Sequence, residues 1–276
     1  MVAAIRAAIF AALAGAAAAA CAGAARADAV PQRIVSANLC ADRLLLLLAP
    51  RERIASVSHL ARDPDLSPAA ADASGLHANR GGAEEILALR PDLVLLGPFA
   101  PRGGATLLRR LGIPVHEVPL AADFAGARAA IRDLAARIGV VARGEALVAT
   151  LDARLAALPR GARPLRVASL HAGGWVAGAG TPADAVLAQL GLINAPAVAG
   201  ATGLRRLDIE ALLALAPDLI VVERLAAPGP SEAESLLRHP ALRATGLRMV
   251  EVAARAWACP DMALADAAAA IAEAAR

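Results

Sequence analysis

From Glu84 to Val94 the chain reads EEILALRPDLV, and from Glu210 to Ile220, 126 positions later (210 − 84), it reads EALLALAPDLI. Arg80 and Arg206 have the same separation. Each copy is a short helical pattern that stops before a proline, followed by a continuous apolar run typical of a strand buried on both faces. The repeat predicts two related α/β lobes.

A helical segment, 123–158, connects the two copies. Asp123 can cap its first helix, and Gly139 separates that helix from a second one, whose leucines recur at helical spacing up to Leu158. The stretch 142–158 would form a rod of roughly 25 Å at 1.5 Å per residue, long enough to join two lobes.

Strands alternate with helical patterns on both sides of this segment, which favours mostly parallel sheets. We therefore predict an α/β fold with two Rossmann-like lobes, 28–122 and 159–276. A long backbone helix would join the lobes, and a ligand cleft would lie between them.

The first 27 residues have the pattern of a signal peptide. Arg6 precedes a short, alanine-rich apolar stretch, and Ala25-Arg26-Ala27 offers a small-x-small cleavage site. The apolar stretch is short for a membrane span. We expect a soluble periplasmic protein rather than a lipid anchor at Cys21, because Ala18 stands where a larger aliphatic residue is usual.

The charge pattern argues against nucleic-acid binding. The chain has 28 basic and 25 acidic residues, and removing 1–27 takes away two arginines and no acid, which leaves a net charge of +1. There is no long cationic run and no interleaving of aromatic with basic residues.

Aromatic side chains are scarce, and three of them follow predicted strands: Phe99, Trp175 and Trp257. In open parallel sheets, ligands bind beyond the carboxyl ends of the strands, so these positions predict a cleft with aromatic walls. The alternative is that the three rings only fill the bases of loops.

Polar residues near the predicted strand ends complete the candidate ligand site. An arginine guanidinium can bind a carboxylate with two hydrogen bonds, which together with aromatic rings suits a large anionic or metal-chelate ligand. For each arginine, a surface ion pair is the alternative. The candidates are Asn38, His59, Arg62, Arg80, Arg205 and Arg224.

Several motifs together resemble the helical-backbone (class III) periplasmic binding proteins of ABC importers. They are RIVS at 33–36, the block from Glu84 to Val94, GIPV at 112–115 and the linking helix. The resemblance covers about residues 32–275. It implies a monomer without catalytic activity or a cofactor of its own. Such a protein captures a ferric siderophore, cobalamin, haem or a similar large metal chelate.

The same resemblance implies partners. These are transmembrane permease subunits, driven by a cytoplasmic ATPase, on which one glutamate per lobe docks. The matching positions are Glu84 and Glu210. A carboxylate in a first helical turn is also stabilised by the helix dipole, which is the simpler explanation for each glutamate alone.

An enzyme and a metal-ion-binding protein are the two alternative functions. Enzyme motifs such as GxSxG and HExxH are absent, and the glycine-rich stretch 173–180 lacks the residues that grip nucleotide phosphates, so we interpret it as a flexible turn lining the cleft. A zinc or manganese ion-binding protein of a metal importer is the closer alternative, because His59, His116 and His171 lie at or near strand ends.

Cys40 and Cys259 are the two cysteines outside the signal peptide, and each follows a predicted strand, one in each lobe. A disulfide requires Cα atoms within about 7 Å and would join the lobes covalently. We expect two separate thiols.

Overall fold

The computed structural model describes residues 30–159, 163–224, 239–244 and 246–276. The predicted signal peptide and Cys21 lie outside these residues. Among the described helices, none is both long enough and apolar enough to cross a membrane. Residues Gln32–Arg276 form one compact unit.

The first half of this unit, here called the first lobe, contains a five-stranded parallel sheet in the order β3-β2-β1-β4-β5. Its strands are β1 (Ile34–Ser36), β2 (Ile54–Ser58), β3 (Ala78–Asn79), β4 (Leu93–Leu96) and β5 (Val115–Glu117). Its helices are α1 (Leu39–Leu48), α2 (Ala83–Ala88) and α3 (Arg102–Arg110).

A helical hairpin follows, made of α4 (Phe124–Arg137) and α5 (Val141–Ala156). Asp123 caps α4 by accepting a hydrogen bond from the Gly126 N–H, and Gly139 has a positive φ of 70° in the turn between the two helices. Helix α4 packs on α1, and α5 packs on the last helix of the chain. The hairpin therefore contacts both halves.

The second lobe contains a six-stranded mixed sheet in the order β11-β10-β6-β7-β9, with β8 beside β6. Its strands are β6 (Arg166–His171), β7 (Trp175–Ala177), β8 (Ile193–Asn194), β9 (Leu204–Arg206), β10 (Leu219–Arg224) and β11 (Arg248–Ala253). Its helices are α6 (Pro182–Gln189), α7 (Ala195–Val198), α8 (Ile209–Ala214), α9 (Pro240–Ala244) and α10 (Leu264–Ala274).

Both predicted lobes are present, and most strand pairs are parallel. The exception is β7, which pairs antiparallel with β6 and with β9. The sequence interpretation of 173–180 as a flexible turn is therefore wrong for Trp175–Ala177, which form a strand. Three residues flanked by glycines are too short to show the period-two pattern of a strand.

The sequence repeat corresponds to a structural repeat. The Asp92 carboxylate accepts hydrogen bonds from the Gln32 and Arg33 N–H groups at 2.7 and 2.8 Å, and Asp218 accepts one from the Arg166 N–H at 2.8 Å. Each aspartate thus holds the start of the first strand of its lobe. The residues before the two prolines, Arg90 and Ala216, both have a φ of 47°.

One buried apolar cluster extends through both lobes and the hairpin. Side chains alternate along the central strands, so that Ile34, Leu93 and Leu95 face this shared cluster while Val35 and Val94 face a smaller one outside the first sheet. In the second lobe, Val167 and Leu219 face the shared cluster, and Ala168 and Ile220 face another small one. Each sheet is consequently buried on both faces.

Cys40 and Cys259 form a disulfide, with Cα atoms 5.4 Å apart, so the expectation of two separate thiols is wrong. That expectation assumed that two lobes flanking a ligand cleft would not be joined by a covalent bond. In the structure, the N-terminus of α1 and the segment after β11 meet where the lobes join. Beside the disulfide, Arg43 and Asp261 form a buried ion pair at 2.5 Å.

Asp42, on α1, is a buried carboxyl whose ionisation is coupled to folding. Its oxygens accept hydrogen bonds from the Ser58 N–H at 3.1 Å and from the Ser58 hydroxyl. Burial raises the pKa of Asp42 to about 6, since these hydrogen bonds offset only part of the lost hydration. Between the unfolded value of 3.8 and about 6, the folded protein holds a proton that the unfolded chain releases.

Asp42 should therefore lower the free energy of unfolding by about 2.4 kcal/mol as the pH rises from 4 to 7. Urea unfolding at pH 4, 5, 6 and 7 gives the free energy of unfolding of the wild type and of Asp42→Asn. The contribution of Asp42 is the difference between the two proteins in how this free energy changes with pH. Burial also raises the pKa of Asp261, but that effect is common to both proteins and cancels. Parallel pH profiles would contradict the prediction.

Candidate functional site

The first lobe has a recess of about 240 Å³ at the carboxyl ends of its strands. Asn38, after β1, caps α1 by accepting hydrogen bonds from Cys40 and Ala41, at 3.0 and 3.1 Å. Its amide packs against Gly97, where a Cβ atom would lie 2.3 Å from the Asn38 nitrogen. Arg80 and Phe99 also line the recess, and Phe99 is 83% exposed.

A larger cavity, of about 710 Å³, lies mainly on the second lobe and is closed on one side by Leu66 of the first lobe. Its wall is mostly apolar and contains both tryptophans of the chain. The lining residues are Leu66, His171, Ala172, Trp175, Ala177, Thr181, Pro182, Ala183, Leu204, Glu223, Ala254, Trp257 and Ala258.

A histidine and a carboxylate form the ionisable part of this wall. His171 Nδ1 lies 3.5 Å from Glu223 Oε2, which also accepts a hydrogen bond from the Ala172 N–H at 3.3 Å. Burial acts to raise the pKa of Glu223, but the hydrogen bond and charge of His171, with the Ala172 N–H, outweigh it and leave the pKa lowered. The carboxylate is therefore held ionised.

The His171 and Trp257 rings form an edge-to-face contact, with ring centroids 6.0 Å apart and an interplanar angle of 75°. His171 Nε2 and Trp257 Nε1 are both buried without a hydrogen-bond partner among the described residues. Such atoms are uncommon in folded proteins, and two of them occur on neighbouring residues of one cavity wall. An imidazole whose Nδ1 is held by a carboxylate can offer its Nε2 lone pair to a metal ion.

The strand register shows which arginine lies on the sheet face that lines the large cavity. Trp175 pairs with Arg206 and Ala177 pairs with Leu204, and directly paired residues lie on the same face of a sheet. Trp175, Ala177 and Leu204 line the cavity, so Arg206 lies on that face too.

Arg205, the arginine selected from the sequence, pairs instead with Val176, which is buried on the opposite face. Sequence reasoning therefore missed Arg206. The available signal was its equivalence to Arg80 in the internal repeat.

The structure brings two groups of predicted residues together and leaves four residues outside them, namely Arg205, described above, and the three described below. Asn38, Arg80 and Phe99 share the recess, and Trp175 and Trp257 share the cavity. His59 is exposed in the turn after β2, Arg62 donates a hydrogen bond to the Leu76 carbonyl, and Arg224 lies 3.7 Å from Glu251 in an exposed ion pair. These three line neither pocket.

The described residues contain no cluster of three or more histidines, cysteines or carboxylates able to hold a metal ion. Two of the three histidines of the metal-ion alternative have separate partners: His116 pairs with Asp133 at 2.9 Å, and His171 pairs with Glu223.

Glu84 and Glu210 occupy equivalent places. Each is the second residue of a six-residue helix, α2 or α8, and each side chain is exposed. The carboxylates are therefore available to a partner from each lobe.

A family model described as periplasmic binding protein matches residues 34–246. No curated protein matches the chain. The fold is similar to the periplasmic haem-binding protein RhuT from Roseiflexus sp. RS-1 in its apo form, at 27% identity and a TM-score of 0.73, covering 89% of this chain and 99% of that one.

It is also similar to the periplasmic haem-binding protein BhuT in complex with two haems, at 27% identity and a TM-score of 0.67, covering 89% and 97% of the two chains. The vitamin B12-binding protein BtuF of Vibrio cholerae shares the fold at 18% identity and a TM-score of 0.64, with coverage of 89% and 97%.

Proposed function

Since this chain belongs to the periplasmic binding protein family, we propose that it captures a planar tetrapyrrole metal chelate of the haem type for an ABC importer. The observation that carries the proposal is the apolar cavity of about 710 Å³ with Trp175 and Trp257 in its wall. Ligand sites with apolar, aromatic walls and few polar groups suit flat hydrophobic molecules. We also propose that residues 1–27 act as the signal peptide for export.

His171 favours haem over other chelates. A hexadentate siderophore fills the coordination positions of its own iron, whereas haem iron accepts axial ligands from a protein, often an imidazole. Among the described residues, Nε2 of His171 has no hydrogen-bond partner. It is buried, so coordination of a metal ion would require a shift of the imidazole or of Trp257. The similarity to RhuT and BhuT supports the same ligand class.

Haemin titration of the purified protein tests the proposal, followed by absorption and by tryptophan fluorescence. We expect saturable binding with quenched emission, because both tryptophans line the cavity. Trp257→Ala should weaken binding by about 1–3 kcal/mol, the scale of burying a large side chain, and His171→Ala should change the haemin absorption spectrum.

Val198→Ala is the matched control, because Val198 is 68% exposed and lines neither pocket. Cobalamin and a ferric hydroxamate are titrated in parallel. Binding of one of these in preference to haemin, or a Trp257→Ala variant as tight as wild type, would contradict the haem proposal.

Arg205 and Arg206 lie on opposite faces of the second sheet, which allows a paired test. Arg206→Ala should weaken haemin binding about threefold to tenfold, because an exposed guanidinium at the rim can bind a haem propionate only in competition with water. Arg205→Ala removes the same charge from the opposite face and should bind haemin as wild type does. Equal effects of the two substitutions would show that net charge, and not position, matters.

Glu84 and Glu210 are the proposed contacts to the permease. The double variant Glu84→Arg/Glu210→Arg should retain its fold and haemin affinity, because both side chains are exposed and line neither pocket. It should lose stimulation of the cognate transporter ATPase in proteoliposomes. Glu273→Arg, another exposed glutamate, serves as control. Full stimulation by the double variant would remove the two glutamates from this role.

A further inference from the structure

Two links join the lobes side by side. Cys40, in the first turn of α1, is bonded to Cys259, which lies 219 positions later after β11. Arg43 lies one helical turn further along α1, and its guanidinium pairs with Asp261. These four residues are called the interlobe clamp.

The ion pair of the clamp is buried and supported by further hydrogen bonds. The side chains of Arg43 and Asp261 are 2% and 4% exposed. Arg43 also donates a hydrogen bond to the Arg255 carbonyl at 2.9 Å, and Arg255 donates one to the Pro64 carbonyl of the first lobe at 3.1 Å. A buried charge pair with such partners resists separation, because separation would leave each charge without its partner.

The interlobe clamp lies between the two pockets. Asn38, which lines the recess, is two residues before Cys40, and Ala258, which lines the large cavity, directly precedes Cys259. Leu66, the first-lobe residue in the cavity wall, is two residues after Pro64. A change in the distance between the lobes at the clamp would therefore alter the cavity wall itself.

We propose that the interlobe clamp sets the width of the ligand cleft, and that the Cys40–Cys259 disulfide makes this width dependent on redox state. A dithiol can attack the disulfide at Cys40, which is half-buried, whereas Cys259 is only 1% exposed. Reduction transfers two electrons and two protons to the sulfurs, giving two thiols, while the dithiol forms its own disulfide. Of the two links in the clamp, the Arg43–Asp261 ion pair with its hydrogen bonds then remains.

This role differs from simple stabilisation. A disulfide far from a binding site changes the free energy of unfolding and leaves the shape of the site unchanged. Here the bonded residues adjoin pocket-lining residues on both sides, so reduction should change the spread of interlobe distances in the folded protein. The inference does not depend on which chelate binds.

The test measures interlobe distances by double electron–electron resonance. Spin labels are attached through azide-bearing amino acids at Leu111 and Val198, which are 56% and 68% exposed, one in each lobe. The distance distribution should be narrow in the oxidised protein and should broaden and shift after treatment with dithiothreitol. Circular dichroism confirms that the reduced protein is folded at the measuring temperature.

The variant Cys40→Ser/Cys259→Ser should give the broad distribution without reductant and should not respond to dithiothreitol. Where haemin binds, reduction should raise its Kd roughly fivefold to tenfold, the scale of a lost preorganised site. Identical distributions for oxidised and reduced folded protein would overturn the inference. If haemin binds neither form, the haem proposal fails and the distance distributions alone decide the role of the clamp.

Discussion

The shared buried cluster is the constraint on which the rest of the structure depends. Each central strand presents alternate side chains to this cluster and to a small cluster on its outer face, so neither sheet can leave the shared core without exposing half of its apolar residues. The helical hairpin completes the core by packing α4 against the first lobe and α5 against the last helix. The lobes are therefore joined by a common interior as well as by a connecting helix.

This arrangement positions the site. The loops after β1 and β4 carry Asn38 and Phe99 to the recess of the first lobe, and the segment after β11 carries Trp257 to the larger cavity. The antiparallel strand β7 adds Trp175 to the second-lobe wall and pairs with β9, which brings Arg206 to the same face. The larger cavity thus belongs mainly to the lobe that departs from a purely parallel sheet.

The two halves share their framework and differ where ligand would bind. The Pro-Asp turns hold the first strand of each lobe through the same kind of carboxylate-to-backbone hydrogen bond, and the two exposed glutamates occupy matching helices. By contrast, the recess of the first lobe contains Asn38 and Arg80, while the second-lobe cavity contains the His171–Glu223 pair. The hydrogen bonds that hold the first strand are therefore alike in the two lobes, whereas the side chains near the strand ends differ.

The sequence by itself determined the two lobes, the helical connection, most of the strands and the residues near their ends, because these depend on local periodicity, capping and proline. It also indicated Trp175 and Trp257, which share the larger cavity, whereas Phe99, predicted with them, lines the separate recess of the first lobe. Only the tertiary structure decided the disulfide, the buried Arg43–Asp261 pair and the sheet faces on which Arg205 and Arg206 lie. The disulfide and the ion pair join residues more than 200 positions apart. The faces of the two arginines depend on a strand register that a one-residue shift would reverse. No local pattern of residue types encodes such distances or registers, because they follow from how the shared core packs the two sheets together.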